Sequence, residues 1–243
     1  MEETTAGGLL GGSVAYRQFA EGHRSGFEPV LLAAAIQARP GERILEAGTG
    51  AGAGLLCLAA RIPGVFGLGV ERDAATARLA QSNFNANAFA NLFCVQADAT
   101  ALPLAPQSFD HVFANPPWFD VAGTASPNAR RSLAHQAKPG LLEGWIASLT
   151  RALRPRGSIT LILPASAFAT AGAALRAHHC GGITLFPLWP RANQPAKMAI
   201  LTARAQIKTP DAIAPGLILH DSGGITPEAQ SILRDGAEIT FSS

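Results

Sequence analysis

The chain has 243 residues, 48% of them hydrophobic and 15% charged, with a net charge of +2. That balance supports a sizeable core in one large domain with small additions, and it excludes a disordered chain. The slight positive excess permits a nucleic-acid partner without demanding one, and no apolar stretch approaches the roughly 20 residues that span a bilayer.

The N-terminus, Met1 to Gly8, is acidic and Gly-rich and lacks the basic and apolar regions of a signal peptide, so it reads as a frayed lead-in to a cytoplasmic protein. Pro29 to Ala38 is Ala/Leu-rich, with Pro in a first helical turn and Pro40-Gly41 as a stop. Residues 1–40 therefore read as a lead-in and a helix packed on the core.

From residue 41 strands and helices alternate. Strands are expected at Arg43–Glu46, Val65–Glu71, Leu92–Gln96, Phe109–Ala114 and Ser158–Leu163. Helices are expected at Ala51–Arg61, Ala74–Ala90, Leu141–Leu153 and Ala167–His178. Nearly continuous apolar strands separated by helices argue for a mostly parallel sheet with helices on both faces. Ile183–Leu188 and Met198–Ala203 add two strands. The connection between them is too short for a parallel crossover, so the seventh strand is expected to be antiparallel. Residues 41–208 form this main domain. Residues 209–243, with a possible helix at Pro227–Arg234, read as a small appendage. Arg151, Arg154 and Arg156 read as complements to a helix end.

The three cysteines, Cys57, Cys94 and Cys180, are odd in number and widely spaced, which favours free buried thiols over a metal site. His178-His179-Cys180 could suggest a metal, but adjacent side chains point apart and a loop after a helix is the simpler account.

Three strand ends carry chemistry. Between the first strand and its helix lie Glu46, Gly48, Gly50 and Gly52. The glycines let the backbone approach a ligand, and the helix N-terminus supplies N–H groups. Glu46 suits a cationic ligand group such as an ammonium better than a pyrophosphate. Glu71 ends the second strand, where an acid can bind both hydroxyls of a ribose. Asp98 follows the third strand and is placed to accept from an adenine amino group. Each acid also has a plain structural reading, as a solvated strand end or a turn residue. Their order along one chain is what makes a ligand site the better account.

The fourth strand is followed by Asn115-Pro116-Pro117-Trp118. The amide oxygen can accept from an NH2 group, the aromatic can stack on a planar ring, and the prolines fix the distance between them.

At these residues the chain resembles the class I S-adenosylmethionine-dependent methyltransferases. The tetrapeptide is similar to the Asn/Asp-Pro-Pro-aromatic motif of enzymes that methylate planar nitrogens. The bacterial tRNA1(Val) adenine-37 N6-methyltransferase group matches further, at Tyr16-Arg17-Gln18, Gly22-His23-Arg24-Ser25, Val30 to Ala34 and Asn128 to His135. Two departures are visible: Trp118 stands where Tyr or Phe is usual, and Glu28 where Asp is usual. The resemblance implies a Rossmann-like α/β fold and S-adenosylmethionine as cofactor. It implies a cofactor set of Arg24, Glu28, Glu46, Gly48, Gly50, Gly52, Glu71, Arg72, Asp98, Ala99 and Asn115, with no metal. It implies catalysis by Asn115, Pro116, Pro117 and Trp118 on an RNA base; Arg130, Arg131 and Lys138 are the candidates for RNA contact, with Arg17 and Arg24 as further ones near the lead-in.

The expected reaction is N6-methylation of adenine in RNA, with tRNA as the expected substrate. A protein glutamine amide, or a base in rRNA or DNA, keeps the same chemistry with another substrate. A catalytically silent RNA-binding protein on the same fold is a reading from another class. A nicotinamide-dependent oxidoreductase fails on Glu46 and on the missing second nucleotide-binding half.

Overall fold

The computed structural model describes residues 3–21, 26–117 and 140–241. Its centre is one mixed sheet. The strands predicted from sequence are β3 (Arg43–Ala47), β4 (Phe66–Glu71), β5 (Leu92–Gln96), β6 (Phe109–Ala114), β7 (Leu153–Pro164), β8 (Cys180–Arg191) and β9 (Met198–Ala205). They lie in the order β5-β4-β3-β6-β7-β9-β8. Strands β3 to β7 pair in parallel, and β9 is antiparallel to both of its neighbours, as its short connection requires.

The helices are α1 (Glu28–Ala34), α2 (Ala53–Arg61), α3 (Ala74–Ala86), α4 (Leu141–Ala152) and α5 (Phe168–Ala177). Both faces of the sheet are covered, so neighbouring strand residues are buried alike: Ile44 packs with α1 and α2, Leu45 with α4, and both are 0% exposed. Asp73 caps α3 by accepting from Thr76 N at 2.8 Å.

Several expectations need correction. The N-terminus is not frayed: β1 (Thr4–Leu9) and β2 (Val14–Phe19) form an antiparallel hairpin. Its Thr/Ala/Gly first strand carries no apolar alternation to announce it. The tail also continues the main sheet. Strands β10 (Ala212–Ile213) and β11 (Leu217–Asp221) pair in parallel with β8, and β12 (Gly224–Ile225) pairs with β11. The last helix spans the residues expected of it, as α6 (Pro227–Gln230) continued without a break by one π turn at Ser231–Asp235. Helix α1 stops at Ala34, short of Ala38. Helix α3 stops at Ala86, where Asn87 caps it and Ala88 turns to φ +58°.

Of the arginines expected at a helix end, Arg151 stands in the last turn of α4, while Arg154 and Arg156 lie in β7. Arg151 Nη2 donates to the carbonyls of Leu102 at 2.7 Å and Leu104 at 2.9 Å, and Arg154 pairs with Asp110 at 2.7 Å. Cys57 and Cys180 are buried and Cys94 is half-buried, all three as free thiols. Among the described residues no helix is long and apolar enough to cross a membrane.

Candidate active site

Because β3, β4, β5 and β6 run in parallel, their carboxyl ends share one edge. Ala47 sits beside Val70 on one side and Ala114 on the other, and Glu71 sits beside Gln96. The acids and the amide named from sequence therefore converge at the place where open α/β sheets bind ligands.

The loop from β3 to α2 turns on Gly48 (φ +67°), Gly50 (φ +55°) and Gly52 (φ +90°). Such angles are strained for residues with a Cβ. Two of the three glycines are also needed for space. A Cβ on Gly48 would lie 2.6 Å from the Trp145 ring, and one on Gly52 would lie 2.5 Å from Phe84. Gly50 differs, since a Cβ there would meet nothing within 4 Å among the described residues. That side of the loop is open to a ligand.

Glu46 is only 5% exposed. Its Oε2 accepts from Thr49 Oγ1 at 2.5 Å and from Leu55 N at 3.2 Å, so the carboxylate caps the first turn of α2 from beneath the loop. Burial pushes its pKa up to about 8, against the pull of these two hydrogen bonds. Glu71, half-buried, bridges the loop and the turn after β4: Oε2 accepts from Gly50 N at 3.1 Å and Oε1 from Asp73 N at 3.0 Å. Asp98 is exposed, and its Oδ1 accepts from Thr100 N at 2.8 Å and Thr100 Oγ1 at 2.7 Å. Those bonds hold its carboxyl below the usual range. Ala99 beside it is buried, and Arg72 is exposed.

Asn115 follows the last residue of β6 and is half-buried, as is Pro117, while Pro116 is buried between them. Glu28 opens α1 at the end of the lead-in. Trp118, Arg130, Arg131, Lys138 and Arg24 lie outside the described residues. Arg17 is exposed on β2, and its backbone is tied through Asn83 to the glycine loop. No group of three or more metal-ligating side chains occurs among the described residues.

Two contributors were not legible in the sequence. Asn83, in α3 and 2% exposed, donates through Nδ2 to Ala51 O and to Arg17 O, both at 2.8 Å. It thereby ties the hairpin to the glycine loop. Trp145, in α4, lies against Gly48. An Asn or a Trp inside a helical repeat gives no sign of the loop it will touch.

A family model described as a methyltransferase domain matches residues 44–157. Among curated proteins, the tRNA1(Val) (adenine(37)-N6)-methyltransferase of Actinobacillus succinogenes is 34% identical over 143 residues, which is 58% of this chain and 60% of that protein. The protein of the same name from Bacteroides thetaiotaomicron is 28% identical over 155 residues, 61% of this chain and 65% of that protein. The match thus spans about three fifths of these relatives' length. Among solved structures, a predicted O-methyltransferase from Agrobacterium tumefaciens, Atu636, superposes with a TM-score of 0.73 at 24% identity, covering 87% of this chain and 97% of that one. Precorrin-6y C5,15-methyltransferase from Geobacter metallireducens superposes at 0.56 with 14% identity, covering 78% of this chain and 94% of that one. Strand order and glycine loop agree with the methyltransferase-domain match, which takes in just under half of the chain, and the chain shares the fold of these two solved structures.

Proposed function

We propose that the chain transfers a methyl group from S-adenosylmethionine to the exocyclic N6 of an adenine in RNA, with tRNA as the substrate. The observation that carries this reading is the position of Asn115-Pro116-Pro117 at the end of β6, the strand beside the one that leads into the glycine loop. The curated relatives named for adenine-37 of tRNA1(Val) support the choice of substrate.

The residues present fit the cofactor. The open side of Gly50 leaves room for a ligand against the loop. Glu71 lies across from the loop, where its carboxylate would take the ribose hydroxyls. Asp98 is held ionised by Thr100, with its second oxygen left to accept from the adenine amine, and Ala99 N–H is beside it. Glu46 lies beneath the loop, and a bound ammonium would favour its ionised form. Arg72 flanks the ribose side. Arg24 and Glu28 would complete the set from the lead-in. When bound, the cofactor supplies an activated methyl group on a sulfonium.

The protein's part is to bind and orient. An exocyclic amine conjugated with its ring is a poor nucleophile. The Asn115 amide oxygen and the Pro116 carbonyl would accept both amino hydrogens and turn the lone pair toward the methyl group. Fixed dipoles facing the developing positive charge, together with in-line placement, lower the barrier. No strong base is needed before attack, because the amine proton becomes acidic as the N–C bond forms. Pro117 sets the spacing to Trp118, which would stack on the base. Arg130, Arg131 and Lys138 follow as candidates for phosphate contact.

Incubation with methyl-labelled S-adenosylmethionine and a mixture of total tRNA and cell protein tests this reading. Label in the tRNA supports it. Label in protein with none in tRNA means that the same chemistry serves a glutamine amide.

A further inference from the structure

Charge is segregated along this chain. Of its 19 Lys and Arg and 17 Asp and Glu, residues 121–210 hold eleven and one, and the rest hold eight and sixteen. The basic stretch builds α4, β7, α5, β8 and β9. Some of its cations are spent within the fold: Arg154 on Asp110, Arg176 on Asp211, and Arg151 on two loop carbonyls.

Two others stand at the edge that carries the site. Arg191 closes β8 and Lys197 precedes β9, so both flank one turn at the carboxyl end of the sheet. That turn is close to Asn115 through the strand order, since β6 neighbours β7 and β7 neighbours β9. Pro164 at the end of β7 pairs with Met198, and Ala165 N donates to Lys197 O at 2.8 Å. Arg191, Lys197 and the residues from Ala192 to Pro195 are exposed. Lys197 makes no ion pair among the described residues. Arg191 donates to Asp221 O at 2.5 Å, while the Asp221 carboxylate accepts from Gly223 N at 2.7 Å.

Phe168 stands at the same edge, opening α5 just after β7 ends, and is 47% exposed. On the other side of β6 the edge carries Glu71, Asp73 and Asp98. A polyanion would be repelled from that side and drawn to this one.

We propose that the β8–β9 turn and Phe168 form the RNA-docking rim of the site, with Arg191 and Lys197 taking phosphates and Phe168 stacking on an unpaired base. This rests on the reading of the substrate as RNA. The rim would hold the strand while the base enters between Asn115 and the cofactor.

The test is tRNA binding against salt concentration for the wild type, Arg191→Ala/Lys197→Ala, Phe168→Ala, and a control pair, Arg204→Ala/Lys208→Ala. The control cations lie at or beyond the far end of β9, on the opposite edge of the sheet. The rim pair is expected to weaken binding about ten-fold or more and to flatten the slope of log K on log salt by about 2. Phe168→Ala is expected to weaken binding roughly five-fold or more without changing the slope. The control pair should bind within about two-fold of wild type, and cofactor affinity should be the same in all four proteins. A rim pair that binds as tightly as wild type, with the same slope, overturns the rim and leaves the enzyme reading standing. Wild-type protein that binds no tRNA at low salt overturns both.

Discussion

The Asn83 side-chain amide donates to Ala51 O in the glycine loop at 2.8 Å, and the same Nδ2 donates to Arg17 O in the hairpin at 2.8 Å. Its Oδ1 accepts from Arg17 N at 3.1 Å. One turn on, Asn87 repeats the pattern with Ala15, accepting from its N at 2.9 Å and donating to its O at 2.8 Å. Two amides at helical spacing thus stand in for a third strand along the free edge of β2.

Asn83→Ala removes that join and leaves the buried Ala51 carbonyl and the part-buried Arg17 N–H and carbonyl without this partner. The expected cost is about 2–4 kcal/mol of stability, read by urea denaturation. Cofactor affinity should fall as well, because Ala51 belongs to the loop. A variant with unchanged stability and affinity would show that the hairpin is not held through this residue.

The loop glycines separate packing from binding. Gly52→Ala places a Cβ 2.5 Å from Phe84 at φ +90°, and should cost about 2–4 kcal/mol through overpacking and backbone strain. Gly50→Ala meets nothing within 4 Å among the described residues, so only the strain of its φ remains, about 1–2 kcal/mol. Its methyl group would nevertheless occupy ligand space, so cofactor affinity by calorimetry should drop well beyond the stability change. Equal affinity for Gly50→Ala and wild type would place the cofactor elsewhere.

Glu46 makes stability depend on pH. Burial raises its folded-state pKa to about 8 from 4.5. The folded state therefore binds the proton more tightly than the unfolded chain does. The contribution is fully present below the unfolded value and is lost as pH rises through the window from 4.5 to about 8. The loss is about 1.4 kcal/mol per pH unit at its steepest. Urea denaturation at several pH values should show this slope in wild type and a flatter one in Glu46→Gln. Parallel curves for the two proteins would mean that Glu46 stays ionised in the fold.

Asn115→Ala should abolish methyl transfer while leaving cofactor affinity within a few-fold, since the amide is assigned to the accepting base. Calorimetry and a turnover assay on the same sample read both quantities. Loss of cofactor binding would move Asn115 from the substrate side to the cofactor side.

Much of this architecture is legible in the sequence because its signals are local. Apolar runs such as Val65 to Val70 mark buried strands, and Gly48, Gly50 and Gly52 mark a turn that needs positive φ. The short link from Trp189 to Lys197 dictates an antiparallel pair. What was missed depends on distant partners. The hairpin is specified by Asn83 and Asn87, more than 60 positions away, β10 and β11 exist because β8 offers them an edge, and β12 in turn pairs with β11. The acids were legible as residues at strand ends but not by their environments. Nothing local says that Glu46 will be buried beneath α2 while Asp98 stays in solvent.

The central claim is the reaction itself, and nucleoside analysis of tRNA tests it most directly. Unmodified tRNA would be incubated with S-adenosylmethionine and either wild type or Asn115→Ala, then digested to nucleosides and resolved by mass. The account predicts N6-methyladenosine with wild type and none with the variant. Methyl groups on another atom of the nucleosides, or N6-methyladenosine formed equally well by Asn115→Ala, would contradict it.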